Sequence, residues 1–200
     1  MSLQAKKYLQ KSDPVLAKII AQVNLPQRKR SRNHFRALVE SIISQQLSVK
    51  ASDTIFKRFV KLFPGGRFPK AEAILKIPDR KFRSVGISGA KTKFIKDLAL
   101  HVHQGKLNFQ KIRKLSDEEV IDVLIKVKGI GRWTAEMFLM FSFDRPDLFS
   151  HGDLGLRNAI QRWYKFRKPP TAKQIDKIVT KWSPHRTLAC RYLWHSLSLK

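Results

Sequence analysis

Gly129, Ile130 and Gly131, flanked by Lys126, Lys128 and Arg132, form a pattern suited to holding an anion. Two residues without side chains free the backbone for left-handed or crowded conformations and leave the main chain open to a large ligand. A helix predicted from about Arg132 starts with N–H groups that lack helical acceptors, which favours a negative group there. Two helices joined by such a hairpin can grip a nucleic-acid phosphate without reading a base. An ordinary Gly-capped connection gives the same short pattern, and a bare GxG does not separate the two. The basic flanks and the charge of the whole chain favour the phosphate. Further on, Asp153 is a lone carboxylate in HGDLGLRNAI. Its place before an apolar-periodic run also makes it a helix N-cap, and cap hydrogen bonds would keep it ionised.

The elements that position these residues are helical. Ser116-Asp-Glu-Glu119 is a capping box that starts a helix at about Asp117. Val120, Val123, Leu124 and Val127 give it one apolar face, and Gly129 ends it. Asp13-Pro14 caps a first helix, with Val15, Leu16, Ile19, Ile20 and Val23 inward, that runs to about Asn24. Residues 25–32, LPQRKRSR, read as a basic linker or a phosphate-contacting arm, with the linker the expectation. A helix from His34 to Gln46 reaches a polar joint at Ser44 to Ser48, where Ser48 caps the next helix, Val49 to Phe63. Pro64-Gly65-Gly66 breaks the chain, Pro69 and Asp79 open short helices, and Gly86 and Gly89 turn into a longer one carrying Phe94, Ile95, Leu98 and Val102 inward. Leu154 to Tyr164, Thr171 to Trp182 and Pro184 to Leu197 complete the set. No strand alternation, repeat or low-complexity tract competes, so the expected fold is all-α.

Lys and Arg number 41 against 15 Asp and Glu, a formal charge of +26, while an apolar fraction of 42% is too high for a disordered basic tail. Such a chain is expected to be a folded nucleic-acid binder. No apolar run approaches the roughly 20 residues needed to span a bilayer, which leaves a membrane surface as a weaker partner. The N-terminal stretch has no signal-peptide core, and the single Cys190 excludes an internal disulfide. A cytoplasmic or nuclear monomer is the expectation.

LIKVKGIGRWTAEMF, followed after a loop by FSHGDLGLRNAI, resembles the helix-hairpin-helix (HhH-GPD) DNA glycosylase superfamily, with its Gly/Pro-rich loop and catalytic Asp. GIGRWTA and KWSPHRTLACRYLWH are similar to its 3-methyladenine DNA glycosylase II branch, and the likeness runs from about Phe35 to His195. The resemblance implies two helical lobes, 34–143 and 1–33 with 144–200, flanking a cleft. It implies that Asp153 is catalytic, stabilising positive charge on the sugar and orienting water as the base leaves. Trp133 and Trp194 match pocket positions that an alkylated, positively charged purine would stack on, and Met137 stands where the branch often has an aromatic. For an isolated tryptophan, core packing is the first reading, and Trp163 and Trp182 are left to the core.

Gln45, Gln46 and Leu47 match the wedge that fills the gap of an extruded nucleotide, although a capped helix–helix turn would look the same. Lyase branches carry a lysine where Trp133 stands, so base release without strand cutting is implied. An iron–sulfur cluster would need four thiolates and cannot form. The hairpins of the family can hold Na+ or K+, here on the main-chain carbonyls of Ile125, Val127 and Ile130, and no catalytic metal or other cofactor is implied. His151 would touch DNA backbone or water, or serve structure like the other histidines, and Asp144 and Asp147 read as loop solvation. The rival readings are a glycosylase for another lesion and a noncatalytic DNA-binding module, in which the Asp153 side chain would be dispensable.

Overall fold

The computed structural model describes residues 3–27 and 33–199, and thirteen α-helices and no strand occur among them. They are α1 (Leu3–Ser12), α2 (Pro14–Gln22), α3 (His34–Ser44), α4 (Val49–Lys61), α5 (Ala71–Lys76), α6 (Asp79–Ser84) and α7 (Gly89–His103), then α8 (Phe109–Ile112), α9 (Asp117–Leu124), α10 (Arg132–Phe141), α11 (Leu154–Trp163), α12 (Ala172–Val179) and α13 (Arg186–Ser196). Among the described residues no helix is long and apolar enough to cross a membrane. The chain divides into two compact units, Ser31–Phe138 and Met1–Arg30 with Leu139–Lys200.

In the unit Ser31–Phe138, α3 packs against α4 and α7, and α5 and α6 also lie on α7. Leu38, Val39, Ile42 and Ile43 of α3 are buried with Ile95, Leu98 and Ala99 of α7, and Phe59 meets Phe63 and Phe82 ring to ring. The starts of these helices are fixed by side chains. Asn33 accepts from the Arg36 N–H, Ser48 from Ala51 and Ser88 from Lys91. At α9 the capping box is complete: the Glu119 N–H donates to Ser116 Oγ, and the Ser116 N–H donates to Glu119 Oε2 at 2.8 Å.

In the other unit, α2 lies against α1 and α13, and α11 packs on α13. Asp13 caps α2 as its position suggests, and it does more. Its Oδ1 accepts from the N–H groups of Val15 and Leu16, and its Oδ2 accepts from Tyr164 Oη and Trp182 Nε1. Four donors satisfy a carboxylate that is otherwise buried, where an unpaired one would be costly. Burial and the neighbouring Asp13 push the Tyr164 hydroxyl well above its ordinary range, so it stays a donor. Trp163 donates from Nε1 to Ser196 Oγ at 2.8 Å, tying α11 to α13. Of the two tryptophans assigned to the core, Trp182 is fully buried and Trp163 half-buried.

Three elements differ from expectation. The stretch before Asp13 forms α1, which buries only Ala5 and Leu9, too few positions to announce a helix. The four-residue α8 is set by Asn108, whose Oδ1 accepts from the N–H groups of Gln110 and Lys111. The first short helix begins at Ala71 with Lys70 as its cap residue, two residues after Pro69. Of the basic segment 25–32, residues 28–32 lie outside the described residues, while 25–27 are not helical.

Candidate active site

The hairpin follows directly from α9. The Val127 N–H donates to the Leu124 carbonyl and the Ile130 N–H to the Val127 carbonyl, each at 3.1 Å, while Val127 and Ile130 point into the core. The two glycines have different reasons to be glycine. Gly129 takes φ +81°, and a Cβ there would sit 2.3 Å from the Phe94 ring, so conformation and space both exclude a side chain. Gly131 has no atom within 4 Å of where its Cβ would be, so open space adjoins its main chain. The first i→i−4 bond into α10 runs from the Ala135 N–H to the Gly131 carbonyl at 3.0 Å, so the amides just before it start the helix without helical acceptors.

Along α10, Thr134, Ala135, Glu136 and Phe138 are buried, while Trp133 and Met137 share the less buried face at i, i+4 spacing, Trp133 being 48% exposed. Phe141 continues that stripe, and its ring lies tilted on Trp194 with centroids 5.7 Å apart. Trp194, from the last helix, donates its indole N–H to Asp153 Oδ1 at 2.9 Å. The same oxygen accepts the Leu156 N–H at 2.8 Å, so Asp153 is the N-cap of α11, and it is 6% exposed. Gly155 leaves room for this seat. A Cβ there would stand 3.1 Å from Asp153 Oδ1 and 3.2 Å from Trp194 Cδ1.

A helix–GxG–helix turn and a carboxylate capped at the next helix are thus both in place. Residues 39–185 match the family described as HhH-GPD superfamily base excision DNA repair protein. The chain belongs to this family. It is 33% identical over 185 residues to DNA-3-methyladenine glycosylase 1 of Schizosaccharomyces pombe, spanning 92% of this chain and 81% of the relative. A putative DNA-3-methyladenine glycosylase of Bacillus subtilis, YfjP, is 31% identical over 168 residues, 82% of this chain and 58% of that protein. Among solved structures, the S. pombe 3-methyladenine DNA glycosylase in complex with abasic DNA superposes with a TM-score of 0.86 at 32% identity, over 98% of this chain and 97% of that one. The Bacillus halodurans DNA-3-methyladenine glycosidase gives 0.84 at 35% identity, over 99% and 90%.

As an HhH-GPD chain it departs from the sequence reading at several side chains. Arg132 is exposed, but its guanidinium is shared with two carboxylates. Its Nη2 donates to Glu118 at 2.6 Å and its Nε to Glu136 at 3.1 Å, and the Arg132 hydrogen bond holds the Glu118 carboxyl below the usual range. Lys126, Lys128 and Arg132 are all exposed at the hairpin, Arg132 as part of this ion-pair network. Nor do all hairpin amides face outward, since the Lys128 N–H donates to Asp97 Oδ2 at 2.8 Å. Of the three wedge candidates, Gln45 is engaged elsewhere, its Nε2 donating to the Gly129 carbonyl at 2.8 Å. Gln46, at φ +58°, and Leu47 are exposed.

Asp147 is no solvated loop residue. Both its oxygens accept from the Arg186 guanidinium, at 2.7 and 2.9 Å, and Oδ2 also accepts from Ser183 Oγ, pinning the loop to the start of α13. Burial pushes its carboxyl up, but the hydrogen bonds from Arg186 and Ser183 outweigh that and hold it below the ordinary range. His151 Nε2 lies 3.3 Å from Asp176 Oδ1 of α12, and its ring stands edge-on to Phe149 at 5.0 Å, while the side chain stays exposed. Cys190 is fully buried, and desolvation together with the nearby Asp153 pushes its thiol well up, as suits a small apolar residue. Of the carbonyls named for a monovalent cation, Val127's already accepts one N–H and keeps a second lone pair, and a main-chain oxygen set suits Na+ or K+. Lys91, Asp97 and Gly155 were not singled out beforehand. Only Gly155 left a local sign, as a glycine in the first turn of a predicted helix.

Proposed function

We propose that this chain is a monofunctional DNA glycosylase that hydrolyses the N-glycosidic bond of alkylated purines, 3-methyladenine among them, in duplex DNA during base excision repair. The observation that carries the reading is Asp153: an acceptor-only carboxylate, nearly buried, with one oxygen fixed by a cap N–H and an indole N–H. The names of its relatives and the DNA-bound neighbour support the substrate class.

Lys126, Lys128, the uncovered Gly131 main chain and the start of α10 hold the backbone of the duplex, a contact that positions without specifying. Na+ or K+ on the Ile125, Val127 and Ile130 carbonyls would add fixed positive charge to that grip. The damaged nucleotide is rotated out at a cost of a few kcal/mol, least for a weakened pair, and Gln46 and Leu47 take its place in the stack. Trp194 offers a ring face beside Asp153, with Trp133 and Met137 on the open stripe of α10 as further base-facing side chains. A purine alkylated on a ring nitrogen is cationic, and an indole face favours it by ~0.5–2 kcal/mol over a neutral base. As the C1′–N bond breaks, its electron pair leaves with the base and positive charge develops on the sugar. The Asp153 carboxylate stabilises that charge and orients the water that adds to C1′. With Trp133 in place of a lysine no Schiff base forms, so the product is an intact strand with an abasic sugar. The enzyme works as a monomer, where chromosomal DNA lies.

Incubation with methylated duplex DNA tests this. Free methylated purines should appear while the strand stays uncut until alkali is added. Strand scission without alkali would overturn the monofunctional assignment, release of only deaminated or oxidised bases would move the substrate to another lesion, and no release would leave a DNA-binding module.

A further inference from the structure

The joint at 44–48 and the hairpin at 127–131 are distant in sequence, yet one helix holds both. Lys91 of α7 donates from Nζ to the carbonyls of Ile43 and Gln45, at 2.8 and 2.7 Å, closing the end of α3 where carbonyls lack helical partners. Phe94, one turn along α7, fills the space left by the missing Cβ of Gly129. Asp97, a further turn along the same face, accepts the Lys128 N–H at 2.8 Å. Gln45 then closes the circuit, because its own carbonyl is held by Lys91 while its side chain donates to the Gly129 carbonyl. Within this ring of contacts Gln46 keeps a left-handed φ of +58°, a conformation a non-glycine holds only where its surroundings fix it.

We infer that α7 is a brace that makes the hairpin and the 44–48 joint one rigid piece, with Lys91 and Gln45 as positioning residues. The inference rests on the glycosylase reading for its purpose. A hairpin fixed on phosphates can drive side chains into the stack only if the joint bearing them does not yield, and a displacement of about 1 Å at such a point costs on the order of a hundredfold in rate. Neither residue need touch the base or the sugar. Lys91 contributes main-chain anchoring, and its amine, pushed down from its ordinary value by desolvation, is turned to the Ile43 and Gln45 carbonyls.

Lys91→Met and Gln45→Met keep chains of similar length and remove the donors, and Lys91→Arg restores donors. Amide hydrogen exchange in the free protein is the first readout. Each methionine variant should speed exchange at both 45–48 and 129–131, and loosening confined to the mutated segment would overturn the brace. The second readout is single-turnover base release from methylated duplex beside affinity for undamaged duplex. Release should fall about tenfold or more for Lys91→Met, which loses charge-assisted hydrogen bonds, and by a smaller factor for Gln45→Met, which loses a neutral one, with affinity within about twofold and Lys91→Arg close to wild type. Rate and affinity falling together, or an unchanged rate, would overturn the positioning role. If the wild type releases no base, the glycosylase reading fails, and exchange alone still decides the brace.

Discussion

Trp194 has two separable tasks, a ring face and an N–H donor to Asp153, and substitutions can part them. Trp194→Phe keeps an aromatic face but leaves Asp153 Oδ1 with one N–H donor fewer. We expect kcat for base release to fall about tenfold or more, with KM little changed, whereas Trp194→Ala should raise KM as well. Equal losses in kcat and in bulk DNA affinity for the Phe variant would reduce Trp194 to core packing. Gly155→Ala gives the opposite pairing of signs. Alanine favours a helix by up to ~1 kcal/mol, yet here its Cβ would press on Asp153 and on the indole at 3.1 and 3.2 Å. Release should drop while the melting temperature holds or rises, and unchanged activity would show that the indole has room to shift. At this scale the cap at Asp153 was legible, because an N-cap is a local pattern. The ion pairing of Arg132 was not read although a sign existed: Glu136 lies at i+4, the spacing of a helical ion pair.

At the scale of elements, the hairpin should bind phosphate through its lysines and not through Arg132. Lys128→Ala should lower the slope of log affinity against log salt by about one ion, and Arg132→Ala should leave it unchanged. A reversed result in salt titrations would return Arg132 to the DNA surface. The fork of Arg186 on Asp147 predicts an acid response. The folded carboxyl titrates below its usual 3.8, so the contribution of the fork is fully present above that value and is lost as pH falls through the lower folded one. Melting curves of Asp147→Asn should therefore lose part of the wild type's stability at neutral pH and converge toward it below about pH 4. Parallel curves at all pH values would remove the fork from the acid response. Helices with a full apolar stripe and a capping residue, such as α3 and α9, were readable in advance. The α1 helix was not, since two buried side chains in ten residues leave almost no period to detect.

The whole molecule carries +26, so affinity for undamaged duplex should be high at low salt and fall steeply as salt rises, and binding alone separates an enzyme poorly from a scaffold. The all-α class was legible because caps, Gly turns and helical periods agreed along the chain. The ties that hold the site were not, because they join residues with no sequence relation: Lys91 to the Gln45 carbonyl across 46 positions, and Trp182 to Asp13 across 169. Asp13 and Asp153 show how alike a core cap and a catalytic carboxylate look, since each caps a helix and accepts an indole N–H. Asp13 also takes the Tyr164 hydroxyl, which closes a structural network in the core.

Asparagine at Asp153 can still accept the Leu156 and Trp194 N–H bonds through its amide oxygen while losing the negative charge. The most direct measurement is therefore release of free methylated purines from duplex DNA by the wild type and by Asp153→Asn, with melting temperature and affinity for undamaged duplex measured on both. The account predicts release by the wild type and a loss on the order of a hundredfold or more in a variant that folds and binds DNA equally well. Equal release by the two proteins would contradict it and remove Asp153 from the chemistry.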